Sequence, residues 1–431
     1  MNEPLSYRKI LKFWFPLSAT WLMMSVEGPF LTALIARMPN PEYNLAAYGV
    51  AFSLALIIES PVIMMMSASI ALVKNSDSFF KLRNFVYSVN ILITMFIVIL
   101  IIPSVFYFIT ITLINLPADV AVLTHKAVIL LIPWPAAIGY RRFYQGIMIS
   151  GNATRRVAYG TIVRMSVMFV VSVSMSILFE IDGVLIGAAA LSSGVVMEAL
   201  ASRIMARKFV RNVRENIAEK GNDDLSLGKI VKFYYPLALT SFISLGIHPV
   251  VTFFMGRSQM ALESLAVLPV LNSLVFFFRS FGLSFQEVGI ALMREGENYI
   301  KLKNFALVMG LSVIAGLGMI SFTPLSHVWF QDVAGLSSAL SDFSKFPLIL
   351  YTIFPALTVW INFQRAILVH ARKTEPITYA TIIEVAGITV VLLITIKFFA
   401  MIGVIAAVIA YTSGRLAAIL YLRGPFKKVR G

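Results

Sequence analysis

The sequence predicts an all-α polytopic membrane protein: twelve transmembrane helices in two six-helix bundles related by a pseudo-two-fold axis. Three observations predict this. Apolar residues are in excess, Lys and Arg recur in every second loop, and the two halves repeat at a constant offset. Apolar residues make up 59% of the 431-residue chain and charged residues 13%, and the mean hydropathy is +0.85. A soluble domain is about 45–50% apolar and about 25% charged, so it has no interior for such a surplus. A spanning helix needs roughly 20 apolar residues, and the length accommodates twelve with connectors.

In chain order the first half reads as spans near 9–36, 45–73, 84–112, 119–147, 156–179 and 183–207. The second half reads as spans near 229–256, 265–293, 304–325, 338–368, 376–398 and 402–422. Pro16, Pro29, Pro61, Pro133, Pro135, Pro236, Pro249, Pro269 and Pro355 lie inside them. Each removes a backbone donor and frees a carbonyl, so kinks are expected there. The basic start of the chain (Arg8, Lys9, Lys12) followed by an apolar run imitates a signal peptide. The same pattern returns in mid-chain, so it is read as part of the fold. The small-residue pair Gly183-x-x-x-Gly187 is read as a helix contact.

The loops set the orientation. The N-terminus, 74–83, 150–156, 207–229, 294–303, 370–375 and the C-terminus are rich in Lys and Arg, whereas the alternate loops are not. The positive-inside rule then puts both termini in the cytoplasm, in a plasma or inner membrane. The polar stretch 208–228 is the expected linker between an N-lobe, 1–207, and a C-lobe, 229–431.

A shift of 220 residues superposes the halves without a gap. Lys9-Ile-Leu-Lys-Phe-Trp-Phe-Pro-Leu17 falls on Lys229-Ile-Val-Lys-Phe-Tyr-Tyr-Pro-Leu237, and Lys81-Leu-Arg-Asn-Phe85 falls on Lys301-Leu-Lys-Asn-Phe305. Pro29 falls on Pro249, Arg37 on Arg257, Pro135 on Pro355, and Ser193-Gly194 on Ser413-Gly414. Six helices per half make the repeats parallel, which is the two-lobed plan of rocking transporters with a site near the lobe interface. Scaffolds and channels also contain duplicated halves.

The formal net charge is +15, but the basic residues form no single stripe or tail, so nucleic acid is not the expected partner. The chain has no cysteine, which excludes disulfides, zinc thiolates and cysteine nucleophiles. It has no phosphate loop, no H-E-x-x-H motif and no nucleophilic Ser-His-Asp pattern. The expectation is therefore no enzyme, no cofactor and no metal, with a small solute and the bilayer as partners and a monomer as the working unit.

Ionisable groups within spans cost several kcal/mol in lipid and usually face a cavity or a partner. The candidates are Glu27, Glu59, Arg164, Glu198, His248, Arg279, Glu287, Arg365, Glu384 and Arg415. Positions where the halves disagree are the informative ones. Glu59 corresponds to Arg279, Arg164 to Glu384, Gln145 to Arg365, Glu27 to Ile247 and Gly28 to His248. Glu59 and Arg279 are expected to line a central cavity, either paired or contacting solute; the alternative is that each is satisfied inside its own lobe. Arg164 and Glu384 could form a cytoplasmic gate pair or snorkel. Arg365, Arg141 and Arg142 are expected to snorkel; lining the cavity instead, they would favour an anionic solute. Glu27, beside Pro29, suits a proton or sodium ion as coupling ion, a structural role being the alternative. His248, beside Pro249, is a weaker candidate.

Six-plus-six helices, a proline early in helices one and seven, and Glu27-Gly28-Pro29 in mid-helix one resemble the multidrug and toxic compound extrusion (MATE) fold of the wider flippase superfamily. The resemblance implies a MATE-like arrangement of the two bundles. Leu45-Ala-Ala-Tyr-Gly-Val-Ala-Phe-Ser-Leu54, Tyr234-Tyr-Pro-Leu-Ala-Leu239 and His248-Pro-Val-Val-Thr-Phe-Phe-Met-Gly-Arg257 are similar to stretches of the progressive ankylosis protein family. That second resemblance implies export of small polyanions such as citrate, nucleoside triphosphate or pyrophosphate. The expected function is thus a secondary exporter working by alternating access. The other readings are a proton- or sodium-coupled exporter of cationic amphipathic compounds, and a flippase for lipids or polysaccharide precursors.

Overall fold

The structure, a computed structural model, describes residues 5–113, 116–215, 225–293 and 297–430. The first half comprises α1 (Tyr7–Ile35), α2 (Pro41–Glu59), α3 (Met65–Leu72), α4 (Ser76–Leu100), α5 (Pro103–Tyr107), α6 (Ala118–Leu130), α7 (Trp134–Ser150), α8 (Thr154–Leu178) and α9 (Gly183–Glu215). The second comprises α10 (Leu227–Met255), α11 (Ala261–Leu283), α12 (Phe285–Leu292), α13 (Glu297–Ser321), α14 (Leu325–His327), α15 (Ser338–Tyr351), α16 (Phe354–His370), α17 (Glu375–Lys397) and α18 (Gly403–Arg430). Apart from one bridge between Gln259 and Ile402, the described ordered elements are helical.

The 220-residue repeat is written into the element boundaries. Shifted by that offset, α3 lands on α12, α7 on α16, and the π-helical turn Phe108–Leu113 on Val328–Val333. Left-handed residues recur at the same register: Asn40 (φ 51°) with Met260 (φ 49°), and Asn152 (φ 60°) with Arg372 (φ 58°). A left-handed backbone is costly outside glycine and asparagine. Its recurrence at Met260 and Arg372 shows that the helix junction, not the local residue, dictates it.

Among the described residues, eleven helical stretches are long and apolar enough to cross a membrane. The remaining helix of the expected twelve is α1, which is 29 residues long but carries Glu27 and two prolines and is less apolar. Side chains such as Leu92, Leu178, Leu311 and Phe398 are about two-thirds or more exposed, as lipid-facing residues should be.

Prolines break the spans where no N–H is available. The expected helix 45–73 is α2 and α3 joined by a 3₁₀ turn at Ser60–Val62, containing Pro61. Pro103 divides the expected 84–112 span into α4 and α5. That span also starts earlier than expected. Asn75 caps α4 by accepting from Ser78 N at 2.9 Å, while Ser78 Oγ accepts from Asn75 N at 3.0 Å. This capping box turns the polar stretch read as a loop into the first turns of the helix.

The chain forms two compact units, Met23–Ser241 in one and Met1–Leu22 with Phe242–Gly431 in the other. Sequence reasoning placed the division in the linker 208–228, of which 216–224 lies outside the described residues. The units instead divide inside α1 and α10, at nearly the same repeat position. The start of each helix packs with the other half's residues, through equivalent contacts. Trp14 donates from Nε1 to the Phe281 carbonyl at 3.1 Å, and Tyr234 donates from its hydroxyl to the Pro61 carbonyl at 2.6 Å. Trp14 packs edge-on against Phe305, as Tyr234 does against Phe85. In each case residue 14 or 234 meets the partner that the 220-residue shift assigns.

Candidate functional site

In the unit Met23–Ser241 a buried ionic cluster is assembled from five helices. Glu27 comes from α1, Glu59 ends α2, Trp134, Arg141 and Gln145 lie on α7, Thr161 and Arg164 on α8, and Glu198 on α9. Two close glycine contacts position the last two helices. A Cβ at Gly194 of α9 would lie 3.0 Å from the Arg164 carbonyl, and Gly187 packs against Ile35 and Tyr48. The expected Gly183/Gly187 contact is therefore a close approach of α9 to the end of α1 and to α2.

Arg164 forms an ion pair with Glu27, and its Nη1 lies 3.7 Å from Glu198 Oε2. Arg141 forms an ion pair with Glu198, which also accepts from Gln145 Nε2 at 3.1 Å and Thr161 Oγ1 at 3.3 Å. Glu59 Oε2 accepts from Trp134 Nε1 at 2.6 Å, and the Arg164 guanidinium lies 5.6 Å from the Trp134 ring centre. Arg142, Arg141 and Arg164 act electrostatically on Glu59. The cluster thus holds three carboxylates against three guanidiniums. Near balance is what burial demands, because an unpaired charge in low dielectric costs several kcal/mol.

The other unit carries a different charge constellation at the same repeat positions. Glu384 on α17 stands where Arg164 stands on α8. It accepts from Arg415 Nε at 2.7 Å and lies 3.9 Å from Arg365 Nη2. Arg365 Nη2 also donates to Thr381 Oγ1 at 3.1 Å, and Arg415 Nη1 donates to Thr358 Oγ1 at 3.2 Å. Arg279 and Arg415 flank the Phe354 ring, at 5.0 and 4.9 Å from its centre. Position 279 therefore meets position 354 as 59 meets 134, with a cation in place of an anion. Tyr351 stacks on Tyr411 and donates to Asn272 Oδ1 at 3.2 Å. Three guanidiniums here face one carboxylate. Arg279 Nε, Arg365 Nε, the Tyr411 hydroxyl and Thr412 Oγ1 are buried with no hydrogen-bond partner among the described residues.

Glu59 and Arg279 each make these contacts within their own units, and so do Arg164 and Glu384. Arg141 does not snorkel as expected: it is 3% exposed, because Glu198 supplies a partner inside the unit. Arg365 likewise turns inward to Thr381 and Glu384. His248 is exposed on α10, within electrostatic reach of Arg279. Sequence reasoning expected Arg141 to snorkel and assigned Glu198 and Arg415 no role beyond being charges within spans. A signal was present: they correspond to Ile361, Ala418 and Val195, so the halves disagree there too. Trp134 and Phe354 carry no such signal, since an aromatic on an apolar span looks like core. Among the described residues no group of three His, Asp or Glu converges as a metal site.

This is the fold of a multi-pass helical membrane protein, with its helices in a MATE-like arrangement. The chain is similar along nearly its full length to solved transporters of that type. A MOP superfamily transporter from Pyrococcus furiosus, described as having a binding pocket of reverse polarity, is 14% identical with a TM-score of 0.73, covering 98% of this chain and 96% of that one. The eukaryotic MATE transporter AtDTX14 is 14% identical with a TM-score of 0.75, over 98% of both chains. A mutant of the Vibrio cholerae MATE transporter VcmN is 12% identical with a TM-score of 0.69, over 98% and 97%. No curated protein matches the chain in sequence. The profile of the progressive ankylosis protein (ANKH) family matches residues 2–272, and the chain belongs to that family.

Proposed function

We propose that the protein is a secondary exporter working by alternating access, whose solute is a small organic anion or polyanion of the citrate, nucleotide or pyrophosphate kind. The observation that supports this is the cationic excess in the unit holding Phe242–Gly431. Arg279, Arg365 and Arg415 outnumber Glu384, and unpaired buried donors on Arg279, Arg365, Tyr411 and Thr412 remain for acceptor oxygens. Guanidiniums match carboxylate and phosphate oxygens in charge and in fork geometry. An uncompensated buried cation is costly, and a bound anion would offset that cost. This cluster is cationic where its repeat partner is balanced, with Arg279 at the position of Glu59, and the transporter from Pyrococcus furiosus is also described in terms of pocket polarity.

Export of a cationic amphipath, the second reading, needs carboxylates in excess. Glu27, Glu59 and Glu198 are each engaged by Arg or Trp side chains, which weakens that reading. Glu27 is the proposed coupling residue. Its Oε2 is held by Arg164, while its Oε1 is buried without a hydrogen-bond partner among the described residues and so is open to a proton or sodium ion. The working unit is proposed to be a monomer in the cytoplasmic membrane.

The test is flux in proteoliposomes of labelled citrate or ATP against a cationic dye, with and without imposed proton and sodium gradients. Citrate or ATP flux should exceed that of empty liposomes and fall about tenfold or more in Arg279→Gln, as expected for losing a charged partner worth about 1.5–3 kcal/mol. Dye flux without anion flux would overturn the proposed solute class.

A further inference from the structure

A second basic site lies away from the two buried clusters, within the unit Met23–Ser241. The first turns of α4 and the last turns of α9 enclose a cleft of about 550 Å³, lined by Phe80, Arg203, Arg207, Arg211, Arg214 and Glu215. The four arginines occupy one side of α9 at spacings of four, four and three residues, the period of a single helix face. Among the described lining residues, Glu215 is the one acid that opposes them. It lies 3.8 Å from Arg211, with both side chains about 70% exposed, so this pair neutralises little.

The guanidiniums are oriented by aromatic rings. Arg203 lies 4.8 Å from the Tyr144 ring centre, Arg214 lies 5.3 Å from that of Phe80, and Arg83 covers Phe80 at 4.8 Å. Such stacking occupies the flat faces of the guanidiniums and leaves their N–H edges to acceptor oxygens.

The same face of α9 identifies the source of those oxygens. Met197, Leu200 and Ile204 are exposed apolar side chains at 42, 52 and 56%. Arg207 and Arg211 continue that row after three and seven residues, so the lipid-facing stripe turns basic within about 10 Å of helix. A charged head held directly over an apolar stripe has the profile of a phospholipid rather than of a free anion. The second repeat keeps only part of the feature: Arg423 and Lys427 replace Arg203 and Arg207, and Ile300 replaces Phe80. The stacked aromatic is thus specific to the first half rather than required by the scaffold.

We propose that this cleft binds the phosphate of an anionic phospholipid, with the acyl chains lying along Ile204 and Leu200. The site is independent of the solute reading above. The test uses the purified full-length protein in a neutral detergent, with lipid adducts counted by native mass spectrometry. Phosphatidylglycerol, phosphatidylcholine and inorganic phosphate are the probes. Phosphatidylglycerol should be retained one per protein in preference to phosphatidylcholine, and millimolar inorganic phosphate should not displace it. A Lys or Arg near an anionic surface contributes a factor of about five, so Arg207→Ala/Arg211→Ala/Arg214→Ala should weaken retention about a hundredfold. The single variant Arg211→Ala removes a largely exposed side chain, leaves folding intact and should cost about fivefold. Equal retention of the two lipids, unchanged retention in Arg211→Ala, or displacement by inorganic phosphate would each overturn the proposal, the last by pointing to a soluble anion.

Discussion

At the residue scale, the cluster around Glu198 shows why a charge can reside in a bilayer-embedded bundle. Glu198 is fully buried, yet Arg141, Gln145 and Thr161 together satisfy its oxygens. Removing one member leaves the others uncompensated, which costs about 3–5 kcal/mol, whereas removing a whole pair does not. Glu198→Gln should therefore lower the thermal unfolding midpoint in detergent strongly, and Arg141→Met/Glu198→Met should recover much of the loss. A double variant as unstable as the single one would show that the pair is not what holds these helices. The sequence singled out Glu27, Glu59, Arg164, Arg279, Arg365 and Glu384 as charges at unlike repeat positions, and each of them sits in one of the two buried clusters. Their partners were not legible in it. Pairing is a property of helix rotation, and sequence spacing fixes rotation only within one helix. The same limit made Arg141 look like a snorkelling residue, when α9 turns Glu198 toward it.

At the element scale, the repeat was the most legible feature and its consequences the least. Most span positions agree with the structure to a few residues, but α4 and α13 start, and α9 and α18 end, about two turns beyond the expected bounds; Pro61 marks a real break, and the break at Pro103 was passed over. The sharing of α1 and α10 between units was not readable, since a helix start carries no label for the neighbour it joins. Trp14 and Tyr234 show the reason for it afterwards, as donors that find carbonyls at the helix junctions of the other half. Close glycines tie these elements to the charges. A Cβ at Gly414 of α18 would stand 2.6 Å from the Glu384 carbonyl and from Ile388, next to the residue that carries the Arg415–Glu384 bond. Backbone cannot yield there without parting α17 from α18. Gly414→Ala should lower stability by about 1–3 kcal/mol through overpacking and weaken anion flux as Arg415 moves. Gly424, farther along the same helix, has nothing within 4 Å of its Cβ position. Gly424→Ala should be neutral or stabilising, by up to about 1 kcal/mol of helix propensity. Measuring both in one thermal-unfolding series separates close packing from helix propensity, and equal effects would remove the packing argument.

At the scale of the whole molecule, one duplicated scaffold carries two charge constitutions. The unit Met23–Ser241 balances its buried carboxylates with guanidiniums, while the other unit keeps a cationic surplus at equivalent positions. Divergence at the same structural addresses is how a repeat acquires a polar site without a new fold. The basic residues outside the clusters make a further argument, about orientation. Arg155 and Arg156 begin α8 and Lys373 precedes α17, whereas Glu180 and Asp182 lie between α8 and α9 at the opposite end of α8. Loops dense in Lys and Arg stay on the cytoplasmic side because translocating them is unfavourable, so both termini should be cytoplasmic. The absence of native cysteine makes this directly testable, since any introduced thiol is the only one. Glu180 and Arg155 are both exposed and can be replaced without disturbing a buried partner. In intact cells a membrane-impermeant maleimide should label Glu180→Cys, and it should label Arg155→Cys only after permeabilisation. The reverse pattern would invert the assigned orientation. It would also place the arginine cleft of α9, which lies at the same end of the bundle as Arg155, against the outer rather than the inner leaflet.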